Sequence, residues 1–205
     1  IMMSSGKYQI SAIALLLFCC VVSEAAIGNT SHYVMQQQKK YYTDDYDKFV
    51  ATKRKLDEKE KGEFYRMELT DLRTRMDNSW YYYNGVSVFS SMAYERLANL
   101  EDDLGMMSNR INSFTYNPQT PVYNMMHSLK YIVNNSTVNV LDSTFYSASV
   151  SNDKFSAYKN NYYLPVAYLV NSETADWATE SYMDNWKLEY ASDPFELQGD
   201  YFDRA

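Results

Sequence analysis

The chain is 205 residues long and acidic, with a formal net charge of −7. This length accommodates one well-buried domain with an accessory element. The charge excludes nucleic acid as a partner, because no stretch supplies the concentrated basic stripe that neutralises phosphates. Tyrosine is the unusual residue, with 21 copies against 9 phenylalanines and 3 tryptophans. Its apolar ring and polar hydroxyl favour half-buried strands, interfaces and carbohydrate-facing surfaces.

The first predicted element is an apolar run from Ile10 to Ile27, whose one charged residue is Glu24. As a membrane helix over residues 8–27, this run is just long enough to cross a bilayer. Lys7 before it would then lie in the cytoplasm, and everything after the run would lie outside. As a secretory signal, the run ends in a small-x-small cleavage motif, Ser23-Glu24-Ala25. Both interpretations carry the remainder of the chain across the membrane.

Both cysteines, Cys19 and Cys20, lie inside this apolar run. The exported part therefore contains no cysteine, which excludes a disulfide framework and a thiolate metal site from it. A domain of this size that is stable without disulfides is more typical of a bacterial surface than of a small extracellular animal module.

A helix is predicted from Thr43 to Gly62, at the end of a connecting segment over residues 28–62. Acidic residues crowd its first turn, lysines its last turn, and a glycine occupies its C-terminal cap. Its narrow apolar stripe predicts one docked face and comprises Tyr46, Phe49, Val50 and Leu56. Period-two alternation then predicts a strand over Glu63–Asp71. One face of this strand carries Tyr65, Met67 and Leu69, and the other carries Phe64, Arg66 and Glu68.

A second helix is predicted over Ser91–Gly105, with Ser91 as its N-cap. Its expected buried face consists of Ala93, Leu97, Leu100 and Leu104. A short helix follows, capped by Thr120 with Pro121 at its first position, and leads into a strand over Lys130–Val133.

The last third of the chain contains weaker signals. Two short strands are predicted on either side of Asn160-Asn161, with Pro165 marking an edge or a strand start. The tail from Ala175 has two helical stretches, the second opening at Asp193-Pro194. Together these elements predict an α+β domain over residues 63–205, with a mixed or antiparallel sheet and packed helices, preceded by one transmembrane helix.

The sequence contains no recognisable catalytic or cofactor motif. Its two histidines, His32 and His127, have no cysteine, histidine or carboxylate at metal-ligand spacing, and HExxH, GxSxG, P-loop and GxGxxG patterns are absent. The acidic groups Asp44–Asp47 and Glu101–Asp103 favour a structural role. A carboxylate pair for glycoside hydrolysis stays open, because such pairing is spatial. We therefore predict no catalytic residue, no metal and no cofactor in this chain.

The stretch from Phe64 to Ser91 carries an ordered series of motifs: FYRME, Arg-Thr, an Asp-Asn pair, YNGVS and FSS. This series resembles the hallmark of the YfhO family of bacterial multi-spanning membrane proteins. The matching residues include Tyr65, Arg66, Glu68, Arg73, Asn78, Gly85, Ser90 and Ser91. Later segments that also resemble the family are LGMMSNRINSFTYN, HSLKYIVNN, NNYYLPVAYLVN and SDPFELQGDYF.

The resemblance implies a polytopic glycosyltransferase that passes a sugar from a polyprenyl-phosphate carrier to a cell-envelope polymer such as teichoic acid. It implies that the catalytic carboxylate lies outside this chain, and that residues 8–27 are a late membrane helix rather than a cleaved signal. Residues 63–205 would then be an accessory domain on the extracytoplasmic side of the cell membrane that positions the acceptor. The implied partners are membrane lipid, lipid-linked sugar and envelope polymer. The alternative is a secreted or membrane-anchored binding module without enzymatic activity.

The tyrosine run supplies the candidate ligand contacts. Flat apolar faces beside amide donors and acceptors recognise sugar rings, and such groups belong to Tyr81, Tyr82, Tyr83 and Asn84. Sheet packing and a tight Asn-Gly turn explain the same residues without a ligand, so both interpretations stay open. If the stretch from Tyr81 to Ser91 is an edge strand, alternation places Tyr81 and Tyr83 on one face and Tyr82 on the other.

Overall fold

A computed structural model of the chain describes residues 2–35, 43–117, 120–135, 141–174 and 193–205. The chain divides into two compact units, Ile1–Asp44 and Asp45–Ala205. The sequence predicts three segments, residues 8–27, 28–62 and 63–205, and this three-part division stays a prediction. The first helical stretch predicted for the tail, after Ala175, lies outside the described residues.

The first unit contains helix α1, Met2–Met35. Its segment Gln9–Ser31 is long and apolar enough to cross a membrane, a property that it shares with signal sequences. The predicted apolar helix is therefore confirmed, and it continues beyond residue 27 because no proline interrupts it.

The centre of the second unit is a four-stranded sheet with the order β1-β5-β7-β6. Its strands are β1 (Arg66–Leu69), β5 (Leu129–Asn135), β6 (Tyr146–Ser151) and β7 (Phe155–Asn160). Strand β1 is parallel to β5, whereas β5 and β6 are both antiparallel to β7. The sheet is thus mixed, and the predicted α+β class is confirmed.

A smaller sheet has the order β2-β4-β3 and is antiparallel. Its strands are β2 (Val88–Phe89), β3 (Met107–Ser108) and β4 (Ser113–Thr115). Val88 of β2 and Phe114 of β4 belong to the same hydrophobic cluster as Ala98, Tyr123 and Leu197.

Helix α2, Tyr46–Glu60, packs on one face of the large sheet. Phe49 and Leu56 are fully buried against β-strand residues such as Met67 and Val133. The predicted apolar stripe missed the buried Thr52, whose hydroxyl accepts a hydrogen bond from Asn152 Nδ2 at 2.8 Å. This polar pair allows a threonine to occupy a core position without an unsatisfied hydroxyl.

The other face of the large sheet is covered by helices α4 (Glu95–Asp103), α5 (Pro121–Met126) and α6 (Pro194–Arg204). Two of their predicted starts are confirmed. The Thr120 hydroxyl accepts a hydrogen bond from the Tyr123 amide at 3.1 Å, and the Asp193 carboxylate accepts one from the Phe195 amide at 2.9 Å. Each cap precedes a proline at the first helical position, as the sequence pattern predicts.

Helix α4 differs from its prediction. It begins at Glu95 with Tyr94 as N-cap, so the predicted Ser91 cap is wrong. The predicted buried face is partly confirmed, because Leu104 is fully buried and Leu100 packs against the core, whereas Leu97 is 41% exposed.

The helix also buries Ala98, Glu101 and Asp103. Glu101 and Asp103 face inward because they accept hydrogen bonds from Tyr123 on α5 and from Arg110 in the loop before β4. The spacing of apolar residues in the sequence does not indicate such polar partners.

The second strand predicted near Asn160-Asn161 is also wrong. Within residues 161–174 of the described chain no strand forms. This segment is instead held by single hydrogen bonds to its neighbours. The Ser128 hydroxyl donates to the Pro165 carbonyl at 3.0 Å, and the Tyr168 hydroxyl donates to the Met126 carbonyl at 3.1 Å.

Candidate functional site

Glu68 on β1 is fully buried. Its side chain lies on the face of the strand opposite the core residues Met67 and Leu69. Its carboxyl group accepts a hydrogen bond from Tyr83 Oη at 2.7 Å. It also accepts the backbone amides of Val86 at 2.8 Å and Ser87 at 3.1 Å. Burial raises the pKa of the Glu68 carboxyl group, and these hydrogen bonds oppose that rise. One carboxyl group therefore joins the FYRME strand to the YNGVS loop.

Gly85 lies directly against this carboxyl group. A Cβ atom at this position would meet Glu68 Oε2 at 2.7 Å and the Tyr83 ring at 2.8 Å. The position therefore excludes any side chain for lack of space. The left-handed glycine expected of a tight Asn-Gly turn is absent, since the glycines with positive φ in the described chain are Gly62 and Gly105.

The tyrosine run does not form the predicted edge strand. Helix α3, Asp77–Tyr81, ends where Tyr82 adopts a left-handed φ of 56°, and the chain regains strand geometry only in β2. Tyr81 and Tyr83 are 3% and 7% exposed, whereas Tyr82 is 79% exposed. The predicted sidedness of the three rings is thus correct, but a helix end produces it and strand alternation does not.

The burial of the run decides which of its groups face solvent. The Tyr81 ring lies 4.5 Å from the Phe49 ring, and the Tyr83 hydroxyl is engaged by Glu68. The Asn84 side-chain amide donates to the Tyr65 carbonyl at 3.1 Å. Tyr82 is therefore the member of the run that presents its ring to solvent. The assignment of this run to ligand binding stays a prediction.

A cleft of about 560 Å³ opens along the loop that covers Glu68, and we call it the Arg66 cleft. Its interior is formed by Arg66 on β1, Asn78 on α3, residues 85–88, and the side chains of Glu101 and His127. Its mouth is formed by the segment that leads into α4 and by the first turn of that helix. This mouth carries the exposed side chains of Met92, Tyr94 and Leu97.

Arg66 is the half-buried cation of this cleft. Its Nη1 atom donates to the carbonyl oxygen of His127 at 3.1 Å. Among the described residues, no carboxylate forms an ion pair with Arg66, whereas Arg73, Arg110 and Arg204 each have an acidic partner. The guanidinium group is thus held in place by a neutral oxygen, and its charge is not compensated within the described chain.

The second polar group of the cleft joins His127, Glu101 and Tyr123. His127 Nε2 lies 2.9 Å from Glu101 Oε1, and the Tyr123 hydroxyl donates to Glu101 Oε2 at 2.8 Å. The Tyr123 and His127 rings stack with their centroids 4.0 Å apart. Burial raises the pKa of the Tyr123 hydroxyl well above its ordinary value, so this group remains a hydrogen-bond donor.

The group formed by His127, Glu101 and Tyr123 was not predicted from the sequence. Glu101 and His127 are 26 residues apart, so neither lies at a ligand spacing that a motif search detects. The predicted structural role of the neighbouring carboxylates holds, because Asp102 and Asp103 pair with Arg110 at 2.7 and 3.1 Å. Within the described residues, no cluster of three or more His, Cys, Asp or Glu side chains is arranged to hold a metal ion.

The family-motif residues divide into two groups in space. Four of them line the cleft: Arg66, Asn78, Gly85 and Ser90. Asn78 Nδ2 donates to the Ser87 carbonyl at 2.7 Å, which fixes the loop across the cleft.

The other motif residues are structural or peripheral. Tyr65 Oη donates to Asp57 on α2 at 2.7 Å, and Arg73 lies 3.8 Å from the Asp45 carboxylate. Glu68 is buried beneath the loop, and Ser91 is exposed outside the cleft lining. The motif therefore both builds the loop and supplies the cleft.

Comparison with protein families matches residues 1–185 of the chain to a family model described as bacterial membrane protein YfhO. The matched range includes helix α1, both sheets and every residue that lines the Arg66 cleft. No curated protein and no solved structure matches the chain.

Proposed function

The chain belongs to the YfhO family of bacterial membrane proteins, and we propose from this premise that its second unit serves a membrane glycosyltransferase. In this proposal the enzyme transfers sugar from a polyprenyl-phosphate carrier to a cell-envelope polymer such as teichoic acid. The catalytic carboxylate belongs to another segment of the enzyme. The unit Asp45–Ala205 is an accessory domain that binds and positions the acceptor.

The observation that carries this proposal is the convergence of the family motif on the Arg66 cleft. A volume of about 560 Å³ falls within the range of small-molecule sites. The cleft offers an amide on Asn78, a hydroxyl on Ser90 and a guanidinium on Arg66, which suit the hydroxyl groups of a glycan. The exposed ring of Tyr94 at the mouth offers an apolar face for a sugar ring.

The location of the domain is part of the same proposal. Helix α1 supplies a segment that is able to anchor the chain in the cell membrane. Lys7 on its amino-terminal side favours a cytoplasmic amino end, which leaves the second unit on the extracytoplasmic side. Envelope polymers are accessible to a domain on that side.

The test uses the exposed residues at the cleft mouth, because their removal leaves the core intact. In cells that express the intact enzyme, Tyr94→Ala should reduce glycosylation of the envelope polymer several-fold, since loss of one stacking ring costs about 1 kcal/mol. The backbone carbonyl of Tyr94, which accepts from the Ala98 amide, is retained in this variant. The melting temperature should therefore remain unchanged.

The matched control is Tyr162→Ala. Tyr162 is also a largely exposed tyrosine, and it does not line the cleft. This variant should keep wild-type glycosylation. The proposal is overturned if Tyr94→Ala transfers sugar as well as the control does, or if it loses transfer only in proportion to stability.

A further inference from the structure

A second cavity, of about 200 Å³, lies at the carboxyl ends of the parallel strands β1 and β5. It shares no lining residue with the Arg66 cleft, and we call it the Asp71 pocket. Its polar lining includes Asp71, Arg73, Asp77, Tyr81 and Lys154. We infer that this pocket binds a small zwitterion of the amino-acid class. Asp71 pairs with the ammonium group of the ligand, and Lys154 pairs with its carboxylate.

The first argument is that the two signs of charge are poorly matched within the pocket. Asp71 is exposed, and it forms no ion pair with any residue that the structure describes. Lys154 Nζ lies 3.4 Å from Asp45 Oδ2, and Arg73 Nη2 lies 3.8 Å from the same oxygen. Both distances exceed the roughly 2.7–2.9 Å of a charge-assisted hydrogen bond. One carboxylate is thus shared at long range by two cations, while a second carboxylate has none.

The second argument is the total charge around the pocket. Asp77 also lines it, and its carboxylate accepts the backbone amides of Arg73 at 2.6 Å and of Thr74 at 3.0 Å without losing its charge. Three carboxylates, with Asp45 included, therefore surround two cations. A simple anion meets an excess of negative charge, and a simple cation meets two like charges. A zwitterion adds no net charge and pairs with one group of each sign.

The third argument is the hydroxyl group of Tyr81. The residue is 3% exposed, yet its hydroxyl forms no hydrogen bond with the described part of the chain. Buried polar groups normally have a hydrogen-bond partner, so a ligand in the pocket supplies the missing one. Burial raises the pKa of this hydroxyl, which therefore stays protonated and donates to the ligand carboxylate.

The size of the pocket restricts the ligand further. A volume of about 200 Å³ is below the range of about 300–1,000 Å³ that is typical of drug-sized ligands. The buried rings of Phe49 and Phe155 supply an apolar wall for a short side chain. These dimensions suit a small amino acid.

The experiment titrates alanine into the full chain in micelles of a neutral detergent and follows backbone amides by nuclear magnetic resonance. Propionate lacks the ammonium group of alanine, and ethylamine lacks its carboxylate, so the three probes separate the two charges. We expect alanine to shift the amides of Leu72, Tyr81 and Phe155. It should bind about tenfold more tightly than either fragment, because each fragment loses one charged pair.

Variants of the pocket test the assigned partners. Asp71→Asn and Lys154→Met each remove one charge at a nearly constant shape, and each should weaken alanine binding about five- to tenfold. Tyr81→Phe should weaken it several-fold without lowering the melting temperature, since the hydroxyl has no partner among the described residues. A hydroxyl with only a structural role would lower the melting temperature instead.

The matched controls are Lys55→Met on α2 and Asp203→Asn on α6, which remove the same charges from exposed positions outside the pocket. Their affinities should stay within about twofold of wild type, because distant exposed charges are screened. The inference is overturned if either fragment binds as tightly as alanine, if the pocket variants bind like the controls, or if the amide shifts lie elsewhere. If Lys154→Met does not fold, Asp71→Asn and Tyr81→Phe decide.

Discussion

At the scale of single residues, the YNGVS loop depends on two positions that lie against each other, Glu68 and Gly85. Glu68 supplies oxygens for the loop amides, and Gly85 supplies the space in which that carboxyl group fits. The sequence pattern correctly placed Glu68 on the face opposite Met67 and Leu69. Its full burial was not predictable, because it requires a loop that begins fifteen residues later along the chain.

Gly85→Ala should lower the free energy of unfolding by about 1–3 kcal/mol, as expected for an added methyl group in a filled space. The neighbouring atoms belong to buried groups, so they have little freedom to retreat. Gly199→Ala is the control, because no atom lies within 4 Å of a Cβ at that position of α6. It should be neutral or stabilising by about 0.5–1 kcal/mol. Thermal unfolding followed by circular dichroism checks both, and similar behaviour of the two variants would contradict the steric explanation.

The raised pKa of Glu68 predicts a particular dependence of stability on pH. The folded domain retains a proton on this carboxyl group that the unfolded chain releases near the ordinary value of 4.5. The contribution of Glu68 to stability is therefore fully present below that value and is lost as the pH rises through the folded-state pKa. Urea unfolding at a series of pH values measures this loss.

The informative quantity is the difference in unfolding free energy between wild type and Glu68→Gln, because other carboxyl groups have lowered pKa values and act in the opposite direction. Glu60 is one of these carboxyl groups. Burial raises its pKa, but the hydrogen bonds that it accepts from Lys130 and Tyr131 lower the pKa by more. The difference should fall as the pH rises. Glu58→Gln, at an exposed position of α2, should show a constant difference from wild type. A constant difference for Glu68→Gln as well would show that folding does not raise the pKa of Glu68.

At the scale of elements, local signals predicted helix starts and ends better than strands. Thr120-Pro121 and Asp193-Pro194 each start a helix, and Gly105 adopts the left-handed conformation just after α4. Such caps depend on neighbouring residues, so the sequence reports them directly. Strand β6 gave no signal, because it is an edge strand whose residues are mostly exposed or half-buried.

The end of helix α3 separates the roles of two adjacent tyrosines. Tyr81→Ala should lower the unfolding free energy by about 3–5 kcal/mol, because its ring is buried against Phe49. Tyr82→Ala should change stability by no more than about 0.5 kcal/mol, because its ring is exposed.

If Tyr82 also contacts a sugar, Tyr82→Ala should weaken transfer in the intact enzyme several-fold while Tyr82→Phe keeps it, since the ring is retained. Melting temperature and acceptor glycosylation are measured on the same variants. A loss of transfer that follows a loss of stability would leave packing as the sufficient explanation for this tyrosine.

At the scale of the whole molecule, composition and order of elements were sufficient to predict the α+β class and the apolar amino-terminal helix. The Arg66 cleft was not predictable in the same way. It combines a residue of β1, a loop, the start of α4 and the end of α5, and the distances between these segments depend on the completed fold. The motif residues Arg66, Asn78 and Ser90 were identified in the sequence, but their common cleft emerges only from the packing of both sheets.

The orientation of the chain in the membrane is the last prediction, and it follows from charge and apolar length. Lys7 precedes the apolar segment Gln9–Ser31, and flanking cations remain in the cytoplasm, so the second unit should lie outside. The native Cys19 and Cys20 are first replaced by serine to remove background reactivity. In intact cells, a membrane-impermeant maleimide should then label Ser172→Cys, at an exposed position of the second unit, without permeabilisation. Ser4→Cys, on the other side of the apolar segment, should be labelled only after permeabilisation, and the reverse pattern would place the cleft in the cytoplasm, away from any envelope polymer.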